Sequence, residues 1–164
     1  MIFKTYLESP LGLLEITGDK HGINSVYFEN KFEKPDNLSL SCQGCPDPLL
    51  ECRRQLREYF EGWRKTFDLP FILNGTDFQK KVWTELSKIP YGITTSYSDL
   101  ASRIDEPLAV RAVAGAVAKN KINIILPCHR VIGAHGHLTG YGGELWRKKW
   151  LLEFENPNAQ LELF

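Results

Sequence analysis

No apolar run in these 164 residues approaches the ~20 needed to cross a bilayer. The opening MIFKTYLESP lacks the basic, apolar and small-residue order of a signal peptide. The expectation is a cytoplasmic protein with no membrane association. Cysteine is scarce, with four residues at 42, 45, 52 and 128. So few, so unevenly spread, make no disulfide framework, and reduced thiols are expected. Internal repeats and low-complexity tracts are absent, which excludes solenoids and biased tails. Neither sign of charge dominates, with 20 Lys and Arg against 20 Asp and Glu. One local absence is sharper. Residues 107–143 contain no carboxylate, while Arg111, Lys119, Lys121 and Arg130 supply four positive charges. An acid-free cationic surface attracts polyanions whatever the total charge. A solvated helix face that lacks acids fits the same pattern.

What is present is ordinary for a soluble globular chain: 43% hydrophobic and 24% charged residues. The length allows one domain or two small ones. Residues 1–75 hold 9 Lys and Arg against 11 Asp and Glu, and residues 76–164 hold 11 against 9. Three short β runs open the chain, over residues 3–7, 13–17 and 23–28, parted by turn signals at Ser9-Pro10 and Gly18-Asp19. A polar loop is expected over residues 29–44. Leu49, Cys52, Leu56, Tyr59, Phe60 and Trp63 then fall at helical spacing, with Pro48 suited to a first turn.

Asn74-Gly75 marks a boundary, which divides the chain into subdomains 1–75 and 76–164. Thr76 and Gln79 form a capping box for a helix carrying Phe78, Val82, Trp83 and Leu86. Ser96 and Asp99 open a shorter helix reaching residue 104. Asp105 and Pro107 start a third, PLAVRAVAGAVAKN, closed by Asn120 as a left-handed cap. A last helix over residues 145–154 has Trp146, Trp150, Leu151 and Phe154 as its apolar stripe. Two short helices joined by a few residues have the helix-turn-helix form, whose second helix lies in a DNA groove. The small residues Ala112, Ala114, Gly115, Ala116 and Ala118 admit a close approach. Spacing alone fits a DNA groove and a close-packed core equally.

The run ILPCHRVIGAHGHLTGYGG places the paired thiol and imidazole of Cys128 and His129 in an apolar, glycine-rich segment. Thiolate is the nucleophilic form, and a neighbouring imidazole or cation favours it. Adjacent residues need not face one another, and a cysteine in a strand-like apolar run is commonly an inert core residue.

The wider constellation decides. PCHRV, then GYGG, then WLLEFE resemble the active-site segment of the O6-alkylguanine-DNA alkyltransferases. FQKKVWTELSKIPYGITTSYSDLA and AVRAVAGAVAKNKINIILPCHRVIG are similar to the same family, so the likeness runs unbroken from about residue 78 to 155. YLESPLGLLEITGDKHGI resembles the family's first hairpin, while residues 30–50 match poorly. The resemblance implies an α+β fold. A small sheet-plus-helix, ribonuclease H-like subdomain would pack on a mainly helical, winged helix-turn-helix-like one. It implies irreversible, single-turnover repair of alkylated DNA. An alkyl group would pass from the O6 of a flipped-out guanine, or from O4-alkylthymine as an alternative, to Cys128.

Residue by residue, the resemblance implies the following roles. Cys128 accepts the alkyl group, His129 acts as base through a water, and Glu155 orients the imidazole in the manner of a hydrolase triad. Tyr97 donates to the departing guanine, and Asn120 braces the turn before the active-site strand. Arg111 fills the vacated stack, with Ser96, Ala112, Gly115 and Arg130 also on the DNA side. Val117, Val131, Gly140, Tyr141 and Gly142 wall the pocket. Minor-groove binding to double-stranded DNA as a monomer, with no cofactor required, completes the implied picture. Two positions depart from the pattern: mammalian relatives carry Ser at Gly142, and many relatives carry Gly at Glu144. Both put alkyl-size preference in doubt.

Three other functions share parts of this pattern. A pure binder of alkylated bases would lack the acceptor cysteine. A cysteine hydrolase would need an oxyanion hole and leaves the acid-free stretch around Arg111 unexplained. A bare helix-turn-helix regulator would need a dimerisation element. Cys42-x-x-Cys45 also invites structural zinc, with Cys52 or His21 as further ligands, but one C-x-x-C without a second pair is a weak metal signal. Reduced thiols remain the expectation for Cys42 and Cys45, with a core position for Cys52.

Overall fold

The computed structural model describes residues 1–29, 42–139, 144–158 and 162–163. Most of the loop expected over residues 29–44 lies outside them, as do the pocket candidates Gly140, Tyr141 and Gly142. The chain forms two compact units, Met1–Asn74 and Gly75–Phe164. The first is a small sheet with a helix and the second is mainly helical, which is the mixed α+β class expected.

In the first unit, β1 (Phe3–Ser9), β2 (Gly12–Asp19) and β3 (Gly22–Phe28) form an antiparallel meander. The period-2 alternation of the sequence sets the register, pairing Leu7 with Leu14 and Ile16 with Val26. These apolar residues are buried beside α1 (Asp47–Phe60), whose Leu49, Cys52, Leu56 and Tyr59 are likewise buried. Burial pushes the Cys52 thiol up, so it is an inert core residue. Gln55 ties the chain that follows α1 to the helix: its side chain donates to Asp68 O and accepts from Asp68 N–H. Trp63 was expected on the apolar stripe. The helix instead ends at Phe60, Gly62 turns the chain at φ 93°, and Trp63 stands exposed with its indole N–H on Glu61.

The expectation of reduced thiols at Cys42 and Cys45 is corrected. The turn through Gly44, at φ 73°, brings their Cα atoms to 5.3 Å, and the sulfurs are joined as a disulfide. Two sulfurs bonded to each other are not thiolate ligands. Among the described residues no three His, Cys, Asp or Glu side chains are grouped to hold a metal. Among the same residues no helix is long and apolar enough to cross a membrane.

The second unit begins with α2 (Asp77–Leu86), closed at its start by the Thr76–Gln79 capping box. A two-residue strand β4 (Thr95–Ser96) runs directly into α3 (Tyr97–Arg103), with Ser96 accepting from the Asp99 N–H. Helix α4 covers Val110–Ala118 and starts later than its sequence suggested. Asp105 adopts φ 60° and the Ala109 N–H bonds to Glu106 O, so residues 105–109 form a turn. Lys119 caps α4, and Asn120 is not left-handed as expected; its side chain has other work.

Val113, Ala116 and Val117 face inward, and the buried Trp83 indole N–H donates to Ala116 O at 2.8 Å, joining α2 to α4. A single 3-10 turn over Cys128–Arg130 leads into β5 (Val131–Ile132), which pairs in parallel with β4. The expected strand around Cys128 is therefore a turn. Farther on come β6 (His137–Leu138), α5 (Leu145–Glu155) and β7 (Glu162–Leu163), β6 pairing with β7.

The capping box gives a direct test. Thr76→Ala removes the acceptor for the Gln79 N–H and should cost about 1 kcal/mol, read as a lower urea midpoint with unchanged slope. An unchanged midpoint would contradict a structural role for this cap.

Candidate active site

Helix α5 was expected to bury Trp146, Trp150, Leu151 and Phe154. Of these only Leu151 is fully buried; the helix covers Lys148, Leu152 and Glu155 beside it, together with Arg147, and leaves Trp146 49% exposed. Trp150 and Phe154 stack on each other along a half-buried flank, their ring centroids 4.8 Å apart. Lys148 and Glu155, seven residues apart, share one face of the helix and point to the interior. The hydrophobic pattern was misleading because fixed polar partners, and not apolarity, decide which side of this helix is covered.

Glu155 is the centre of the charged cluster. Its Oε1 accepts from His129 Nε2 at 2.8 Å and from Arg130 Nη2 at 2.8 Å. Its Oε2 accepts from Arg130 Nε at 2.9 Å and from the Gly92 N–H at 3.2 Å. Gly92 sits at φ 76°, where a side chain would be strained, and a Cβ would come within 3.3 Å of Glu155 O. Burial alone would raise the carboxyl's pKa. His129 and Arg130 outweigh it and hold Glu155 well below the usual carboxylate range.

An ionised carboxylate only accepts hydrogen bonds, so the proton between Glu155 and His129 lies on Nε2. The ring's lone pair is then on Nδ1, which is buried and has no hydrogen-bond partner among the described residues. Burial lowers the His129 pKa despite the attraction of Glu155, and the charges of Arg130 and Lys148 lower it further. The result is a neutral imidazole held as a base.

Arg130 was expected on the DNA side. It is buried: two of its nitrogens bind Glu155, and Nη1 donates to Ile89 O at 2.6 Å. A guanidinium with its donors committed inside is not a phosphate contact. The exposed cations of the acid-free stretch are Arg111, Lys119 and Lys121.

Cys128 is 3% exposed, and its Sγ lies 3.6 Å from Asn123 Oδ1. Burial pushes its thiol up, while hydrogen bonding from Asn120 and the charge of Lys148 oppose that rise. Asn120 also donates to Leu126 O at 2.8 Å and accepts from the Ile122 N–H at 3.0 Å. It thus ties the end of α4 to the residues entering the Cys128 turn. Within that stretch Ile124 holds φ 71°, rare for a β-branched residue. Such a conformation costs roughly 1–3 kcal/mol and persists only where surroundings impose it. Here the Ile125 N–H to Asn123 O and Leu126 N–H to Ile122 O bonds fix the backbone around a buried side chain.

Lys148 is the main group that sequence reasoning missed. Wholly buried, its Nζ donates to Val131 O at 2.6 Å and Thr139 O at 2.7 Å, and lies 5.8 Å from the Tyr97 ring centroid. Desolvation lowers its pKa to about 8, against the pull of Cys128. Helical spacing from Glu155 was the signal that pointed to it. Asn123, beside the thiol, had no comparable signal.

Tyr97 opens α3 and donates to the same Thr139 O at 3.1 Å. Desolvation raises its pKa, as does the charge of Cys128, so the phenol keeps its proton at neutral pH. Val117 and Val131 are buried. Arg111, Ala112 and Gly115 lie on the exposed side of α4. Ser96 caps α3.

Comparison with known proteins gives a consistent result. The family described as 6-O-methylguanine DNA methyltransferase matches in both its parts. The ribonuclease-like domain matches residues 2–73 and the DNA binding domain matches residues 77–157. A methylated-DNA–protein-cysteine methyltransferase of Methanosarcina acetivorans is 43% identical, over 94% of this chain and 98% of its own. The O6-methylguanine methyltransferase of Mycobacterium tuberculosis superposes with a TM-score of 0.82 at 41% identity, covering 99% of this chain and 97% of that one. The Mycobacterium tuberculosis OGT in complex with DNA superposes at 0.81, with 41% identity, covering 95% and 94% of the two chains.

The carboxylate network predicts a pH-dependent stability. A depressed carboxyl pKa contributes stability that is full above the unfolded value, near 4.3, and is lost as pH falls toward the folded value. Glu155→Gln leaves Arg130 buried without its anion and should cost about 3–5 kcal/mol at pH 7. The deficit relative to the unsubstituted protein should shrink below about pH 4. Urea denaturation at pH 7 and pH 3.5 checks this; a deficit of equal size at both would contradict it.

Proposed function

The chain belongs to the 6-O-methylguanine DNA methyltransferase family, as its motifs implied, and from that premise we propose that it repairs alkylated DNA by moving the alkyl group irreversibly to Cys128. The observation that carries this reading is the buried series Cys128, neutral His129 and ionised Glu155, with an imidazole lone pair left for a proton. Relayed by a water, His129 Nδ1 takes the thiol proton. The sulfur then attacks the carbon on guanine O6, the carbon–oxygen bond breaks, and its electron pair leaves with the base. Tyr97 protonates or hydrogen-bonds the departing purine, its phenol turning from Thr139 O, a carbonyl that Lys148 still satisfies. The bond formed is a thioether and nothing restores the thiol, so each molecule acts once. Atoms and electrons balance without a cofactor.

Lys148 is a positioning and charge-tuning residue in this scheme. Its ammonium favours the Cys128 thiolate, which burial opposes. Residues 76–164 carry both DNA binding and transfer, residues 1–75 forming the other subdomain. Arg111, Ser96, Ala112 and Gly115 meet the minor groove, Arg111 filling the gap left by the flipped base. Val117, Val131, Gly140, Tyr141 and Gly142 wall the pocket, and Asn120 braces the nucleophile. The protein acts on duplex DNA as a monomer, inside the cell.

Mass measurement tests the reaction. Incubation with duplex carrying O6-methylguanine should give a permanent, stoichiometric gain of one methyl on the Cys128 peptide, absent in Cys128→Ser. No gain, or repeated turnover, would overturn the reading.

The pH profile tests Lys148. Burial raises the thiol's pKa and lowers that of Lys148, so transfer should rise as pH climbs toward about 8 and level off above it, further ionisation of the thiol being offset by loss of the Lys148 proton. In Lys148→Gln the levelling near pH 8 should vanish, and the rate at pH 7 should drop about tenfold or more, the effect of one pKa unit on the thiolate. A variant with the unaltered profile would remove Lys148 from the scheme.

A further inference from the structure

Helix α4 presents an outward stripe, with Arg111, Ala112, Gly115 and Ala118 exposed at helical spacing; the exposed Lys119 caps it, and the exposed Leu108 lies in the turn just before it. Its centre is open, since a Cβ on Gly115 would meet nothing within 4 Å. Arg111 and Lys119 give the stripe positive charge, and residues 107–143 contribute no carboxylate against it. The leucine ahead of it does not fit a solvated face. Leu108 is 99% exposed, the most exposed large hydrophobic side chain among the described residues, and its backbone is fixed on both sides. The Glu106 N–H bonds to Ala101 O and the Ala109 N–H to Glu106 O, each at 2.9 Å. A large apolar group carried into water on a fixed backbone, three residues before Arg111, is placed for a partner surface that is partly apolar.

We propose that Leu108 is an apolar anchor for duplex DNA, seated against the sugar-lined wall of the minor groove beside the site where Arg111 enters. This rests on the DNA-repair reading above and adds to it a contact of a different physical kind. Lysine and arginine contacts to phosphate release counterions and weaken steeply with salt. Burial of a leucine on deoxyribose does not, and leucine is among the apolar residues that minor-groove proteins insert or press against the duplex. The pairing of this apolar tip with Arg111 gives the complex a salt-independent share of affinity and fixes the register of α4 along the groove.

The test compares the intact protein with Leu108→Ala and Leu108→Lys. Affinity for a fluorescein-labelled duplex is measured by anisotropy over a range of salt. Transfer rates are measured with O6-methylguanine duplex and with a free O6-alkylguanine base. Leu108→Ala should bind about tenfold more weakly, the effect of losing a few buried methyl and methylene groups, at an unchanged salt slope. Its ratio of duplex rate to free-base rate, taken at limiting protein, should fall by a similar factor. Leu108→Lys should steepen the slope by about 0.9, the mark of one added phosphate contact. Unchanged affinity in Leu108→Ala, or a slope that falls along with it, overturns the proposal. So does an equal loss on duplex and free base, which would mean that Leu108 acts through the fold of the site. If the unsubstituted protein takes the alkyl group while Leu108→Ala binds duplex equally well, only this inference fails. If the unsubstituted protein binds no duplex and accepts no alkyl group, the repair reading itself fails.

Discussion

A carboxylate removed from water persists only where fixed donors replace its hydration, and Glu155 has four such hydrogen bonds, from His129, Arg130 and the Gly92 N–H. They come from two stretches of chain distant from Glu155, so one buried charge joins the turn after α2, the Cys128 turn and the last turn of α5. It also sets the chemistry. Because Glu155 stays ionised, the His129 tautomer follows, and with it the position of the ring's lone pair. Arg130 supplies the compensating charge. Without it, an anion against His129 would favour the imidazolium, which is no base. With it, the pair Glu155–Arg130 is neutral and burial keeps His129 uncharged.

The thiol poses the opposite difficulty. Burial disfavours its reactive form, and only local groups can offset that. Lys148 does so from the same face of α5 that carries Glu155, so one helix brings a cation toward the sulfur and an anion toward the imidazole. The ammonium is itself costly to bury. Two carbonyls, on Val131 and Thr139, satisfy it, and the second also accepts from Tyr97. The groups assigned to activating the nucleophile and to assisting the leaving base therefore meet at a single backbone oxygen. On the proposed mechanism, Tyr97 can turn to the substrate without stranding that oxygen, because Lys148 remains on it.

Much of this was legible in the sequence, for identifiable reasons. The three strands of the first unit followed from short β-forming runs and the turn residues between them, and the starts of α2 and α3 from side chains that cap their own helices. These are local effects, complete within a few residues. Cys128, His129 and Glu155 were marked by motif, yet nothing local joins Glu155 to His129; the fold does. The errors share the opposite property. Arg130 was counted as surface charge because composition does not register burial. The covered side of α5 was assigned by apolarity, whereas Lys148 and Glu155 are drawn inward by partners 9 to 63 residues away. Wherever a polar group's partner is distant in sequence, hydrophobic patterning has no access to the answer.

Helix α4 connects these two levels. Its inner face is fixed by Trp83 on Ala116 O, and its end is continued by Asn120, which holds Leu126 O and reaches toward the Cys128 thiol. Its outer face carries the groups assigned to DNA. A displacement of that face would be transmitted to Cys128 through one helix and one side chain, with no flexible linker between. The strained Ile124 lies in the same connection and shows that the turn is held in place against its own backbone preference. Rigidity here has a chemical use: in-line displacement demands that sulfur, carbon and leaving oxygen align, and a base drawn out of a duplex gains most from a nucleophile already in position when it arrives.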